Sequence, residues 1–325
     1  MKLSIGRALF VLAAITFAAP ATHAQAQQYP ERTIRFILGY STGGGPDFTA
    51  RVTGQYLSQL LGQPVIVENR LGAGGVVAGM AVAGAAPDGY TLLIGETGQL
   101  SIAPHLMKSM PYDPIKDLVP VGRISGSALL LASSPKSGIR SLQQLVAEAK
   151  ANPGKLSYGS SGIGTMHHLA MEILKADLGL DIIHVPFKGS GQAVPALLAG
   201  DVQLLLSGIS IVTPYAKTGK VYLLGATTAE RSEFAPEVPP IAEVDKGFDY
   251  GAEIGLLAPV GTPPAVIKKL SDSLGTVLQN RELLEKFKDG SVAPRYTTPE
   301  GYAERLRRDY QLYGKAVKAA NVPAN

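Results

Sequence analysis

Hydrophobic positions along the chain alternate between short β-branched runs and helical repeats. The first apolar run covers residues 34–38, and a glycine-rich segment separates it from a helical repeat over 46–61. Apolar residues recur every four positions in that repeat, at Phe48, Val52, Tyr56 and Leu60. Further strands are predicted at 65–67, 91–95, 128–132, 156–158, 182–185, 202–206 and 221–226, with helices between them, for example at 141–151 and 166–178. This alternation predicts an α/β fold around a mostly parallel sheet.

The end of the chain has a different pattern. After an apolar run at 254–259, two helices are predicted at 264–280 and 299–320, with one short segment between them. The last helix carries an apolar stripe, which needs a surface formed by the rest of the chain. We therefore expect two lobes joined by extended crossovers near 123–127 and 250–256, with the C-terminal helices packed on lobe 1. The expected boundaries are 27–125 with 253–325 for lobe 1, and 126–252 for lobe 2.

The first 26 residues have the pattern of an export signal. Lys2 and Arg7 precede an apolar run that begins at Ala8 and ends at Ala19, and small residues suited to cleavage follow, up to Ala26. The run has about 12 residues, whereas a membrane-spanning helix needs about 20. We therefore expect cleavage near Ala26, export to the periplasm and a soluble mature protein.

Composition and charge exclude several functional classes. The chain has no cysteine, which removes disulfides, thiolate metal sites and cysteine nucleophiles. It has no tryptophan and only 6% aromatic residues, a poor basis for stacking on single-stranded nucleic acid. The signal carries two of the 30 basic residues and none of the 26 acidic ones, so the formal charge falls from +4 to +2 on its removal. We expect no nucleic-acid partner, no metal and no cofactor.

Two strand–loop–helix units about 120 residues apart carry the strongest functional pattern. The first loop covers 39–47 and the second covers 158–165, and both are rich in glycine and hydroxyl side chains. Glycine lets backbone N–H groups turn toward a ligand, and the start of a helix adds unpaired donors that suit a small anion. One such loop in each lobe predicts a cleft in which a carboxylate is held from both sides.

Catalytic patterns are weak. Ser133 and Lys136 with the triplet 217–219 match two of the three signatures of exported serine β-lactamases, but the Ser-Asp-Asn signature is missing between them. His167 and His168 are adjacent, so on a helix they diverge by about 100° and cannot grip one metal together. Neither glycine loop carries a nucleophile with a visible base, so we expect no catalytic residue and no enzyme activity. An exported serine hydrolase stays as an alternative.

A series of short sequence motifs gives the chain a family resemblance over nearly its whole mature length. They include Gly43-Gly44-Gly45-Pro46-Asp47 and the stretches 61–70, 86–92, 111–114, 151–156 and 184–190. With these motifs in this order, the chain resembles the substrate-binding component of tripartite tricarboxylate transporters, the Bug family of periplasmic proteins. The resemblance implies a two-lobed fold like type II periplasmic binding proteins, which closes on a small organic carboxylate. It also implies integral-membrane transporter subunits as partners, and we expect a monomer.

The resemblance also implies a set of ligand-binding residues. In the family both loops hold the carboxylate, and the segment after the 91–95 strand lines the same cleft. On this sequence the candidates are Tyr40, Ser41, Thr42, Gly43, Gly44, Pro46, Asp47, Glu96, Thr97, Ser160, Ser161, Gly164, Thr165, His168 and Ser207.

The chain departs from the family at Ser207, where a Phe-Asp-Asn phrase is common. Loss of that carboxylate disfavours a ligand with an ammonium group, so we expect a far end that is apolar, aromatic or itself acidic. The ligand is therefore expected to be a dicarboxylate, a tricarboxylate or an aromatic acid. A sensor that passes the same ligand to a signalling receptor remains an alternative.

Overall fold

The computed structural model describes residues 29–187 and 189–322, and the predicted export signal lies outside this part. The described residues form ten strands: β1 Ile34–Leu38, β2 Val65–Asn69, β3 Thr91–Glu96, β4 Leu118–Ser133, β5 Leu156–Ser160, β6 Ile182–Pro186, β7 Leu204–Gly208, β8 Tyr222–Ala226, β9 Gly251–Pro259 and β10 Pro294–Thr297. They also form ten α-helices: α1 Gly45–Leu61, α2 Val76–Ala83, α3 Ala103–Leu106, α4 Leu142–Ala151, α5 Met166–Leu178, α6 Ser190–Ala199, α7 Ile209–Lys217, α8 Pro264–Val277, α9 Arg281–Asp289 and α10 Pro299–Ala319.

The strands run in the order β2-β1-β3-β9-β4-β7-β5-β6, and both β8 and β10 pair with β4. Parallel pairing joins β1 to β2 and β3, and β5 to β6 and β7, as the alternation of strands and helices predicts. The long β4 is antiparallel to β9 over its first part and to β7 over its last part. Two half-sheets therefore share β4, which gives the two-lobed α/β fold of periplasmic binding proteins.

Each half-sheet has hydrophobic cores on both faces, because successive strand residues point to opposite sides. In the first half-sheet, Phe36 packs with α1, α8 and α9, whereas Ile37 packs with α2 and the start of α10. In the second, Leu130 and Leu131 of β4 belong to cores on opposite faces. Parallel strands covered on both faces are apolar throughout, which explains the β-branched runs of the sequence.

Two details differ from the sequence expectation. The stripe predicted for α1 includes Leu60, but this side chain is 48% exposed, because the helix turns Leu57 rather than Leu60 into the core. The short segment expected between the C-terminal helices contains a further helix, α9, as well as β10. Amphipathic α9 covers the core with Leu283 and Phe287.

The C-terminal helices pack on lobe 1, as expected, and α10 extends further. Tyr302 and Leu306 in its first half join the core beneath β3 and β9, whereas Tyr313 and Val317 in its second half join the core that contains α5. Helix α10 therefore contacts both half-sheets. Between residues 29 and 322, leaving out 188, no helix has the length and apolar character needed to cross a bilayer.

Candidate functional site

The loop between β1 and α1 is anchored by a buried carboxylate at the start of the helix. Asp47 accepts hydrogen bonds at 2.9 Å from the Gly43 N–H, from two guanidinium nitrogens of Arg51 and from Nδ2 of Asn69. Burial alone would raise the pKa of Asp47, but these hydrogen bonds outweigh it and lower the pKa to about 2. Asn69 also donates to the Tyr40 carbonyl at 2.9 Å. Asp47 therefore shapes the loop, with its oxygens engaged by the protein's own donors.

The loop between β5 and α5 is held by hydroxyl and imidazole groups. Thr165 caps α5, since its Oγ1 accepts a hydrogen bond from the His168 N–H at 3.4 Å. Nδ1 of the buried His168 accepts from the Gly164 N–H at 3.1 Å. Ser160 is fully buried, and its Oγ lies 2.7 Å from Nε2 of His184. The glycine turn is therefore fixed by contacts that point into the lobe.

The three histidines beside this loop, two at the start of α5 and one on β6, are neutral near pH 7. The rings of His168 and His184 stack with their centroids 4.0 Å apart. Burial lowers the pKa of His168, and it lowers the pKa of His167 and His184 to about 4. Nδ1 of His167 lies 2.8 Å from Ser161 Oγ. The loop therefore offers polar groups without histidine charge.

Both helices present unpaired backbone donors at their first turns. Among the described residues, the N–H groups of Gly45 and Asp47 in α1, and of Met166 and His167 in α5, have no acceptor. Such donors, together with the positive end of the helix dipole, favour a negatively charged ligand. The first turns of the two helices thus present unpaired backbone donors of the kind that suit an anion.

A cavity of about 700 Å³ lies between the two loops. Tyr40 reaches it from the first loop, Glu96 from the end of β3, and Ser161 and Thr165 from the second loop. The paired loops predicted from the sequence therefore meet at one shared hollow. A smaller cavity of about 240 Å³ adjoins Pro46, and Glu96 lines both cavities.

The predicted site residues occupy three kinds of position. Tyr40, Glu96, Ser161, Gly164 and Thr165 line the larger cavity, and Pro46 and Glu96 line the smaller one. Ser41, Thr42, Gly43 and Gly44 are exposed on the first loop. Asp47, Thr97, Ser160, His168 and Ser207 are buried.

The buried members of the set make contacts inside the protein. Thr97 Oγ1 accepts from the Glu253 N–H at 2.9 Å and lies 3.3 Å from the Gly251 carbonyl, so it links β3 to the start of β9. Ser207 Oγ has no hydrogen-bond partner in the described part of the chain. Direct ligand contact by these residues stays a prediction, and the geometry gives Asp47, Thr97, Ser160 and His168 a positioning role.

Sequence reasoning missed an apolar wall. The larger cavity is also lined by Ile102, Ala103, Leu106 and Met107, from the π-helical turn Gly98–Ile102 and from α3 and its end. Met166 adds to this apolar surface from α5. A helical repeat in this short segment would have been the signal, but the segment is too brief to show one.

Backbone from the third glycine-rich stretch was missed as well. Ala73 and Gly74 line the cavity, both with positive φ, at 47° and 64°. A Cβ on Gly39 would lie 2.3 Å from the Gly75 Cα, so glycine at position 39 lets this stretch approach β1. The glycines of this stretch therefore serve close packing beside the site.

The serine-hydrolase pattern does not form an active site. Ser133 is fully buried, and its Oγ donates to the Ile139 carbonyl at 2.7 Å. Lys136 lies in a 3₁₀ turn and Lys217 ends α7, so both belong to structural segments rather than to the helix and strand of that enzyme class. Within the described residues, no group of three His, Cys, Asp or Glu side chains could hold a metal ion.

The two half-sheets, their shared long strand and the cavity between the loops define a solute-binding protein. A family model described as tripartite tricarboxylate transporter family receptor matches residues 49–322. The chain belongs to this family, whose members are solute-binding proteins rather than enzymes.

Curated relatives match the chain over most of its length. It is 38% identical over 299 residues to a UPF0065 protein in the gbd 5′ region of Cupriavidus necator, and this alignment covers 90% of this chain and 88% of that protein. It is 35% identical over 306 residues to BugT of Bordetella pertussis, which covers 94% of each chain.

Two solved structures with bound carboxylates are also similar. The Rhodopseudomonas palustris protein Rpa4515 with adipate is 28% identical, with a TM-score of 0.71 and coverage of 90% of this chain and 98% of that one. MatC from the same organism, with bound malate, is 30% identical, with a TM-score of 0.68 and coverage of 89% and 100%. The fold therefore recurs in proteins that hold small dicarboxylates.

Proposed function

We propose that this protein is a periplasmic receptor that captures a small organic carboxylate between its two glycine loops and delivers it to the membrane subunits of a tripartite transporter. The observation that carries the proposal is the shared cavity, which Tyr40 enters from one loop and Ser161 and Thr165 from the other. The similar proteins with adipate and malate support this class of ligand. The first 26 residues would direct export to the periplasm and be removed by cleavage near Ala26.

In the proposed complex, the carboxylate of the ligand lies at the start of α5. There the N–H groups of Met166 and His167 and the hydroxyl of Ser161 provide donors, with no cationic side chain among the described residues that line the cavity. Binding through backbone amides and hydroxyls avoids the desolvation cost of a buried cation. The positive end of the helix dipole supplies the remaining electrostatic attraction.

In the same proposed complex, the rest of the ligand lies against the apolar wall. Ile102, Leu106 and Met107 would contact a hydrocarbon chain or an aromatic ring. Burial of apolar surface stabilises such a complex by about 25 cal/mol per Å². This arrangement favours an acid with an apolar or aromatic arm over an amino acid.

Closure of the lobes would bring the two loops onto the ligand. The proposed lobes are 27–125 with 253–325 and 126–252, and the crossovers fall in β4 and β9. Ligand that binds the closed form better than the open form shifts the population toward closure. Membrane subunits that recognise the closed monomer would then receive the ligand.

The proposal is tested with the purified mature protein and a fixed set of acids: adipate, malate, hexanoate and 3-phenylpropanoate. We expect saturable binding by calorimetry for at least one of them. Ser161→Ala should weaken that binding about tenfold, because a hydrogen bond to a charged group is lost. Thr218→Ala, at the exposed end of α7, is the matched control and should leave affinity unchanged.

Absence of binding by every acid in the set would contradict carboxylate capture. Deletion of the gene should abolish uptake of the acid that binds. Unchanged uptake, with loss of a transcriptional or chemotactic response, would instead indicate a sensor.

A further inference from the structure

Glu96 occupies an unusual place for a carboxylate in a cavity that is proposed to hold an anion. Its side chain is half-buried at the end of β3 and lines both the larger and the smaller cavity. No lysine or arginine among the described residues lines either cavity. A carboxylate ligand would therefore share this space with a second carboxylate and no neutralising cation.

The partners of Glu96 leave room for one proton. The Tyr40 hydroxyl and the Gly98 N–H are donor groups beside the carboxylate of Glu96, and both act to lower its pKa. Two donors do not fill the four lone-pair sites of a carboxylate. A protonated Glu96 could stay beside both donors and turn its own O–H toward an acceptor in the cavity.

Two carboxylates in one poorly solvated site do not both stay ionised when they are close. Burial already raises the pKa of Glu96 in the free protein, although the nearby donors of Tyr40 and Gly98 oppose this. A bound anion raises the pKa further, since like charge disfavours the ionised form. Burial and the bound anion therefore act in the same direction.

We propose that Glu96 takes up a proton when the protein captures its carboxylate ligand, and that the protonated side chain then donates a hydrogen bond to the bound acid. This inference rests on the proposed function. It makes Glu96 the residue that couples affinity to pH and selects against ligands that need an ionised partner, such as ammonium groups.

Other groups that face Glu96 do not titrate near neutral pH or are already paired. Burial, followed by the effect of Glu96, raises the pKa of Tyr40, and burial raises the pKa of Tyr302 on α10. Burial lowers the pKa of His167 to about 4. Glu253 on β9 is paired with Arg123 at 3.0 Å, so its charge is balanced inside the protein. Among these groups, Glu96 is therefore the one whose charge can change beside the ligand near neutral pH.

The experiment is calorimetry of adipate, hexanoate and 3-phenylpropanoate in buffers of different ionisation enthalpy, which measures the protons taken up per ligand. For wild type we expect uptake that approaches one proton per ligand at a pH between the pKa of Glu96 in the free protein and its pKa in the complex. We also expect affinity that rises by up to about tenfold when the pH is lowered by one. Glu96→Gln imitates the protonated side chain, so it should bind at least as tightly as wild type at high pH, without proton uptake or pH dependence.

Glu148→Gln on the exposed face of α4 is the matched control and should behave as wild type. Binding by wild type without proton uptake would overturn the inference and leave carboxylate capture intact. A Glu96→Gln variant that binds more weakly than wild type at high pH would also overturn it, since an ionised Glu96 would then be the required partner. Failure of wild type and both variants to bind any of the acids would contradict the proposed function itself.

Discussion

Replacement of Asp47 by asparagine should destabilise the protein by about 2 kcal/mol at neutral pH. The pKa of this carboxyl is lowered from 3.8 to about 2 in the folded protein, and a tenfold change in proton affinity corresponds to about 1.4 kcal/mol. The side chain is only 3% exposed, so solvent screening takes away little of this value. Asparagine keeps the shape but loses the charge that Arg51 and the Gly43 N–H require.

The pH dependence of this effect has a definite sign. A lowered pKa in the folded state gives a stabilisation that is complete above pH 3.8 and is lost as pH falls through about 2. The difference in the free energy of unfolding between wild type and Asp47→Asn should therefore be constant from neutral pH down to about 5 and should shrink below about 4. Urea unfolding followed by circular dichroism at several pH values measures this difference.

Asp272→Asn is the matched control. Asp272 also pairs with a cation four residues away, Lys268 at 2.7 Å, but its side chain is 61% exposed. An exposed pair of this kind contributes less than about 1 kcal/mol. If Asp47→Asn proves no more destabilising than Asp272→Asn, the role assigned to Asp47 in holding the first loop is wrong.

Three further predictions concern the cavity and a buried carboxyl group on α10. Leu106→Asn should weaken binding of 3-phenylpropanoate about tenfold and leave malate unaffected; equal losses by calorimetry would argue against the apolar wall. Gly164→Ala and its control Gly179→Ala both strain a positive φ, so each should lower the free energy of unfolding by about 1 kcal/mol. Only at Gly164 does the new Cβ meet Leu106, at 2.6 Å, so only that variant should lose affinity for the ligand. Burial raises the pKa of Asp309 to about 6, so the protonated carboxyl stabilises the folded protein fully below pH 3.8, and this stabilisation is lost as the pH rises through 6. Asp309→Asn should therefore flatten the dependence of the unfolding free energy on pH over this range. An unchanged slope would refute the prediction.

The strands and the paired loops could be predicted because their patterns are local. The apolar run at Ile34–Leu38 and the proline and acid at the start of α1 identify a strand, a turn and a helix without any distant contact. The existence of a shared cavity followed from the two loops and a two-lobed arrangement. These features depend on periodicity and on the geometry of helix termini, which sequence carries directly.

The direction of individual side chains could not be predicted in the same way. Ser160 ends β5 and His168 lies in the first turn of α5, yet both turn toward His184 on the neighbouring strand β6, a contact between residues far apart in sequence. Leu106 of the apolar wall lies close to Gly164 of the second loop, a residue far away in sequence. Such contacts are set by tertiary packing, so a glycine loop in the sequence indicates the place of a site but not which of its side chains reach the cavity.

A crystal structure of the protein with its tightest-binding acid from the tested set is the most direct measurement of the central claim. We predict the carboxylate between the first turn of α5 and Tyr40, within hydrogen-bond distance of Ser161 Oγ, with the remainder of the acid against Leu106. Electron density for the acid outside the cavity, or a carboxylate bound by only one of the two loops, would contradict it.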